Sequence, residues 1–338
     1  MFGLMATIKD IANAANVSIA SVSRVINNTG SVAPKTREKI LKSVAELGYR
    51  PNANARALKS NQANSLGLVI ADWHGAFFSC LAKGVESVAR KRDATLLVST
   101  GAWQAETELK AIELLLEQRC QSLVVHSKFL SDDVLVDLSK EAPMVFINRF
   151  IPQVPQQCIW LDNKIGGVMM TRYILSKGHR NLVFINSNQH IEDSIDREAG
   201  IKTELAKQGL TFDPERTVYV NPNYDGGEAA IQQFIAKGIE FSAVIAYNDA
   251  VACGAMSSLQ DFGVDVPKDV SVIGFDDTDI AKYSRPKLTT LNYPITEMAE
   301  VAANLVLDMV QAKENIKPYN LSYVPSLTIR QSVIGSSK

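Results

Sequence analysis

Residues 7–28 read TIKDIANAANVSIASVSRVINN: two short amphipathic helices joined by a tight polar turn. This is the pattern of a helix-turn-helix module, which lays its second helix in the major groove of DNA. Ile8, Ile11, Ala12 and Ala15 recur at i, i+3, i+4 and i+7 and form one apolar face, and Thr7 with Asp10 is a conservative variant of the capping box. Asn16 tolerates the left-handed conformation the turn needs. Ser18 is placed to cap the second helix. Its Val22, Val25 and Ile26 point inward and leave Ile19, Ala20, Ser21, Arg24, Asn27 and Asn28 largely outward, where they would read base edges. A third helix is expected from Pro34 to Leu47, with Ile40, Leu41, Val44 and Leu47 inward and a stop at Gly48.

An ordinary helical bundle shares this periodicity, and the charge distribution argues against it. The chain of 338 residues carries a net charge of −1, yet residues 1–62 hold nine Lys and Arg against three Asp and Glu, leaving 26 against 33 for the remainder. The basic segment is the one with the helix-turn-helix pattern, and Lys and Arg are what displaces counterions from a duplex. The hydrophobic fraction of 46% and mean hydropathy near zero describe a globular chain long enough for several cores. No membrane span and no secretory leader are evident, so a cytoplasmic location is expected. Cys80, Cys120, Cys158 and Cys253 lie far apart without metal spacing and read as reduced thiols.

After Pro51, the segment NANARALKSNQANS reads as linker and as latent helix. Asn52 could cap such a helix; Ala53 and Ala57 would allow close approach to a second copy, and Leu58 would serve as an apolar wedge in the minor groove. From Leu66 the pattern changes to short β-rich runs, 66–70, 95–99, 122–126, 144–148, 182–186, 243–247 and 270–275, alternating with helical stretches such as Phe78 to Lys91, Glu106 to Arg119, Gly166 to Lys177, Glu198 to Gln208 and Asp249 to Phe262. The fold class is therefore α/β: a three-helix module and hinge, followed by two doubly wound lobes of parallel sheet.

Ligands of such sheets bind beyond the carboxyl ends of the strands. There the sequence places Asp72, His126, Ser127, Asn148, Arg149, Asn248, Asp249, Asp276 and Asp277, with Trp73, Phe77 and Phe78 nearby. Amides and carboxylates pair with vicinal hydroxyls and an aromatic covers a C–H face, so the set suits a sugar. There is no G-x-G-x-x-G after a strand, no G-x-x-x-x-G-K-[ST] and no G-x-S-x-G. Binding is the expected role, with no cofactor, no metal and no catalysis. A sugar-modifying enzyme or a plain sugar-binding protein on the same lobes is the alternative.

Three motifs in this order, ATIKDIANAANVSIASVSRVINN, YRPNANARAL, and VSVIGFDD followed by RPKLTTL, mean that the chain resembles the lactose-repressor (LacI/GalR) family over nearly its whole length, and within it the galactose-responsive branch. The resemblance implies base contacts from Ile19, Ala20 and Arg24, phosphate contacts from Thr7, Ser18 and Asn27, and a DNA-contacting hinge that includes Asn52, Ala55 and the intercalating Leu58. It also implies an effector cleft lined by Phe77, His126, Asn148, Arg197, Asn248 and Asp276, with Tyr224 as the aromatic near residue 222, slightly out of register. Implied partners are operator DNA, a small sugar and a second copy of the chain. The expected divisions are residues 1–51 for DNA, 52–63 for the hinge and 64–338 for effector and dimer. Within the last, lobe 1 takes about 64–163 and 294–322, and lobe 2 about 164–293 and 323–338. The resemblance leaves open whether the sugar induces or acts as a corepressor.

Overall fold

The computed structural model describes residues 6–27, 29–49, 65–73, 75–311, 319 and 321–336. Two compact units divide the chain, Met1–Ala63 and Asn64–Lys338.

In the first unit, α1 (Ile8–Ala15) opens on the capping box: Thr7 Oγ1 accepts from Asp10 N at 3.3 Å and Asp10 Oδ2 accepts from Thr7 N at 2.7 Å. Asn16, at φ 51°, stops the helix in the left-handed region, a conformation a short polar side chain tolerates. Ser18 Oγ then accepts from Ser21 N at 3.2 Å and starts α2 (Ile19–Ile26). With Pro in its first turn, α3 (Pro34–Glu46) closes the unit. Ile11, Ala12, Ala15, Val22, Val25 and Ile40 form one core. Two residues expected inside are not: Leu41 and Leu47 are 51% and 42% exposed. The buried stripe of α3 runs through Ile40 and Ser43, Leu41 lies about 100° around the helix from Ile40, and Leu47 is the C-cap beyond the last turn.

The second unit holds two six-stranded sheets. The first is built from β1 (Ser65–Ile70), β2 (Thr95–Thr100), β3 (Ser122–Val125), β4 (Met144–Ile147), β5 (Cys158–Leu161) and β11 (Ser322–Tyr323), in the order β11-β5-β4-β3-β1-β2, all parallel. The second is built from β6 (Leu182–Ser187), β7 (Thr217–Val220), β8 (Ala243–Ala246), β9 (Ser271–Asp276), β10 (Thr289–Asn292) and β12 (Ser326–Thr328), in the order β12-β10-β9-β8-β6-β7, with β12 antiparallel to β10. We refer to these sheets and their helices as lobes 1 and 2. The chain passes between them after β5, after β10 and between β11 and β12. Every residue of β1, β3, β4 and β8 is buried, because helices cover both faces and leave no solvent side on which polar residues could alternate.

Lobe 1 is flanked by α4 (Ala76–Lys91), α5 (Ala105–Glu117), α6 (Asp132–Leu138) and α12 (Ile295–Val310); lobe 2 by α7 (Asn163–Ser176), α8 (Glu192–Lys207), α9 (Tyr224–Ala236), α10 (Asp249–Asp261) and the short α11 (Asp279–Tyr283). The helix pairs of lobe 2 meet backbone to backbone. A Cβ on Gly167 would lie 2.0 Å from the Arg197 carbonyl oxygen, and one on Gly227 would lie 2.1 Å from that of Val251. The glycine doublets of NKIGG and YDGG are thus contact points between helices.

Candidate DNA-reading face and effector cleft

On the first unit, Thr7, Ser18, Ile19, Ala20, Arg24 and Asn27 are all exposed, and Ile19 is 49% exposed despite being a large aliphatic. Ala20, Arg24 and Asn27 follow at i, i+4 and i+7, so they share one face of α2, opposite Val22 and Val25. Ser21 is half-buried, its hydroxyl 3.0 Å from that of Ser18. An apolar residue, a methyl and a guanidinium on one exposed helix face are groups suited to thymine methyls and guanine edges. Asn28 and the hinge positions Asn52, Ala53, Ala55, Ala57 and Leu58 lie outside the described residues.

A cleft of about 540 Å³ opens at the carboxyl ends of both sheets of the second unit. Lobe 1 contributes Asp72, Phe77, Phe78, Trp103 and His126; lobe 2 contributes Arg197, Tyr224, Tyr247, Asn248, Asp249 and Asp276 among others. The two walls differ in chemistry. On the lobe 1 side, Phe77 and Phe78 pack edge-on at 5.3 Å, Phe78 meets Trp103 at 5.6 Å, and the His126 ring sits 5.4 Å from Phe78. His126 is 2% exposed, and its Nδ1 has no hydrogen-bond partner among the described residues. Burial, with the charge of Lys128 adding to it, drives the imidazole pKa down to about 3, so the ring is neutral at physiological pH. A buried ring nitrogen without a partner costs about 1–3 kcal/mol, which a ligand hydroxyl would recover.

On the lobe 2 side, Arg197 is 5% exposed, with its guanidinium carbon 3.6 Å from the Phe275 ring centre and 4.6 Å from that of Tyr247. Its Nε donates to Asn163 Oδ1 at 2.9 Å and its Nη1 to the Tyr247 carbonyl at 2.6 Å, which leaves Nη2 toward Asp276 Oδ1 at 3.9 Å. Burial pushes the Asp276 carboxyl well above the usual carboxylate range; Asp249 and Asp193 add to the effect and Arg197 opposes it. Burial likewise lifts Asp249 to about 6, against hydrogen bonds from Thr290 and Thr278 that lower it. Asn248 caps α10 by accepting from Val251 N at 2.9 Å while lining the cleft. Asp276 lines the cleft at φ 108°, a strained value for a residue with a side chain.

Of the expected effector residues, Phe77, His126, Arg197, Tyr224, Asn248 and Asp276 come together here, although Tyr224 is half exposed. Asn148 and Arg149 do not line the cleft. Asn148 Nδ2 donates to Asp193 at 2.8 Å and its Oδ1 accepts from Tyr293 Oη at 2.6 Å, which uses both ends of the amide. Arg149 turns the other way and binds Asp132 at 2.6 Å and the Ser127 carbonyl at 3.2 Å. Asn148 stands at φ 59°, off the extended path of β4, and its side chain and that of Arg149 go to different partners. Asp277 is likewise occupied, by Arg330 at 2.5 Å. Trp73 is 59% exposed and outside the lining; the cleft tryptophan is Trp103, carried on two successive left-handed residues, Ala102 and Trp103. Trp103 is not among the expected residues, and Tyr247, expected as the last residue of the run 243–247, stands just beyond β8 and lines the cleft. Among the described residues no group of three or more His, Cys, Asp or Glu could hold a metal, and no helix is long and apolar enough to cross a membrane.

Comparison with known proteins places this geometry. Residues 7–52 match the model of bacterial regulatory proteins of the lacI family, and residues 171–333 match that of the periplasmic binding protein-like domain. The chain is 41% identical to the HTH-type transcriptional regulator GalS of Salmonella typhimurium over 97% of each chain. It is also 41% identical to GalR of Escherichia coli over 97% of this chain and 96% of that one. Among solved structures, the lac repressor dimer bound to operator and the anti-inducer ONPF superposes with a TM-score of 0.84 at 25% identity, over 98% of this chain and all of that one. The chain belongs to the LacI family of bacterial transcriptional regulators.

Proposed function

We propose that this protein is a cytoplasmic, non-enzymatic, dimeric repressor whose grip on a palindromic operator is weakened by an uncharged sugar, galactose or a β-galactoside, bound between the lobes. The observation that carries the ligand class is the make-up of the lining: hydrogen-bonding carboxyls and amides on one wall, aromatic rings on the other, and an Arg197 guanidinium already donating to Asn163 and the Tyr247 carbonyl. Asp72, Asp225, Asp249 and Asp276 line the cleft against Arg197, the one guanidinium among the described lining residues. A sugar phosphate would bring a dianion to a wall of carboxyls, whereas a neutral polyol finds paired hydrogen-bonding groups and an aromatic wall. Dimerisation fits the physics of the reader, because one helix makes few base contacts and a two-fold pair reads two half-sites. The solved lac repressor dimer on operator supports the same partners. In this reading residues 1–51 form the reader, 52–63 the hinge and 64–338 the effector and dimer region.

To move occupancy from 99:1 to 1:99 the sugar must prefer the DNA-incompetent state by about 5.5 kcal/mol. The test is fluorescence anisotropy on the upstream DNA of neighbouring genes, at fixed salt, with D-galactose, methyl β-D-galactoside and galactose 1-phosphate. The first two are expected to lower operator affinity and the phosphate is not. Asp276→Asn should raise the required sugar concentration roughly tenfold or more while sparing sugar-free operator binding. Arg24→Ala should weaken operator more than random duplex. Tightening by sugar would overturn the inducing sign, and a response confined to the phosphate would overturn the ligand class.

A further inference from the structure

Lys128 lies in the loop that follows β3 in lobe 1, and its side chain is only 1% exposed. Its ammonium crosses to lobe 2 and meets Asp193 Oδ1 at 2.6 Å in the first turn of α8. The same ammonium donates to the Asn148 carbonyl oxygen, and the Asn148 side chain donates to the other Asp193 oxygen at 2.8 Å. Tyr293, on the segment that crosses between the lobes after β10, closes the group by donating to Asn148 Oδ1 at 2.6 Å. Asp193 is thus held from lobe 1 on both oxygens, and Asn148 stands at φ 59° to reach it.

The loop carrying Lys128 is itself fixed. Glu108 of α5 is fully buried, and its carboxylate accepts from Ser127 Oγ at 2.6 Å and from the backbone N–H groups of Lys128, Phe129 and Leu130 at 3.1–3.2 Å. A lysine that merely needed solvation would leave such a site, since its flexible stem reaches water readily and burial of an ammonium is costly. Here four hydrogen bonds from one carboxylate aim the loop so that the ammonium ends between the lobes. We infer that Lys128 and Asp193 are positioning residues that latch the two lobes together beside the cleft, so that closure is held in part by the protein's own ion pair and not by effector alone. Because the cleft takes its lining from both lobes, a protein with its latch broken must close at the ligand's expense, and its apparent affinity falls by the factor by which the closed fraction falls.

The inference rests on the sugar-binding reading only for this last consequence. The primary measurement uses no ligand. Nitroxides coupled to ketone-bearing residues at the exposed positions 140 in lobe 1 and 237 in lobe 2 leave the native cysteines untouched, and labelled full-length chain is diluted into unlabelled protein. Pulsed dipolar spectroscopy then reads the inter-lobe distance. Lys128→Met and the gentler, isosteric Asp193→Asn are each expected to lengthen and broaden that distance, and saturating D-galactose should restore it with a tenfold or larger rise in apparent Kd. A purely structural role would lower Tm without moving the distance. An unchanged distance distribution in folded Asp193→Asn would overturn the latch. A shifted distance that no sugar restores would keep the latch and count against the proposed ligand.

Discussion

Polar residues at the carboxyl ends of the strands divide among three jobs, and the division follows from which way each side chain leaves the strand end. Asp276 and His126 face the cleft, Asn148 joins the lobes, and Arg149 and Asp277 fasten loops within their own lobe. Sequence position alone names all five and cannot sort them, since a strained φ of 59° or 108° is a tertiary result. His126 shows what the cleft costs. Its folded pKa of about 3 lies below the ordinary 6.5, so the unfolded chain takes up a proton first. Stability from this group is fully present above pH 6.5 and is lost as pH falls toward 3. At pH 4.5 the loss is about 3 kcal/mol. His126→Asn should therefore reduce the difference in urea midpoint between pH 7.5 and 4.5. A slope equal to that of wild type would mean that the imidazole is already charged or solvated in the folded protein.

At the scale of elements, periodicity located most of the structure. The continuous apolar runs are strands because both faces of each sheet are covered, and the two helices of residues 7–28 begin at the caps that Thr7 and Ser18 provide. The strands β5, β7, β10, β11 and β12 are absent from the expected runs: β7 (TVYV) and β10 (TTLN) are half polar, and β11 and β12 are only two and three residues long. The first turn of α8 is missed for a different reason. The expected helix begins at Glu198, yet residues 192–197, EDSIDR, are already helical. Acidic residues suit a helix N-terminus, and Asp193 and Arg197 are buried by their partners in lobe 1 and in the cleft. The glycine contacts carry the prediction at this scale. Gly227→Ala would put a Cβ 2.1 Å from a backbone oxygen, which no rotamer change relieves, so α9 and α10 must separate. We expect a loss of about 3 kcal/mol, at the upper end for overpacking, read as a fall in Tm of the second unit. A variant as stable as wild type would show that the helix pair slides without cost.

At the scale of the molecule, the two compact units have separate cores with no residue in common. Deleting residues 1–62 should therefore leave a folded effector unit: sugar affinity by calorimetry within about twofold of the full chain, since one compact unit contains every lining residue, and duplex binding abolished. Operator binding by the truncated protein would refute the assignment of the reader. What the sequence by itself determined is the local part of this protein: caps, helix periods, apolar strands, a basic first unit, and the residue types of a sugar site, all set by spacing along the chain or by composition. Tertiary structure decided which strand-end groups share a cavity, that Trp103 rather than Trp73 walls it, that Asp276 and Asp249 are pushed toward neutrality, and that Lys128 meets Asp193. These depend on distances between residues far apart in sequence and on the removal of water around them, and neither quantity is written in local order.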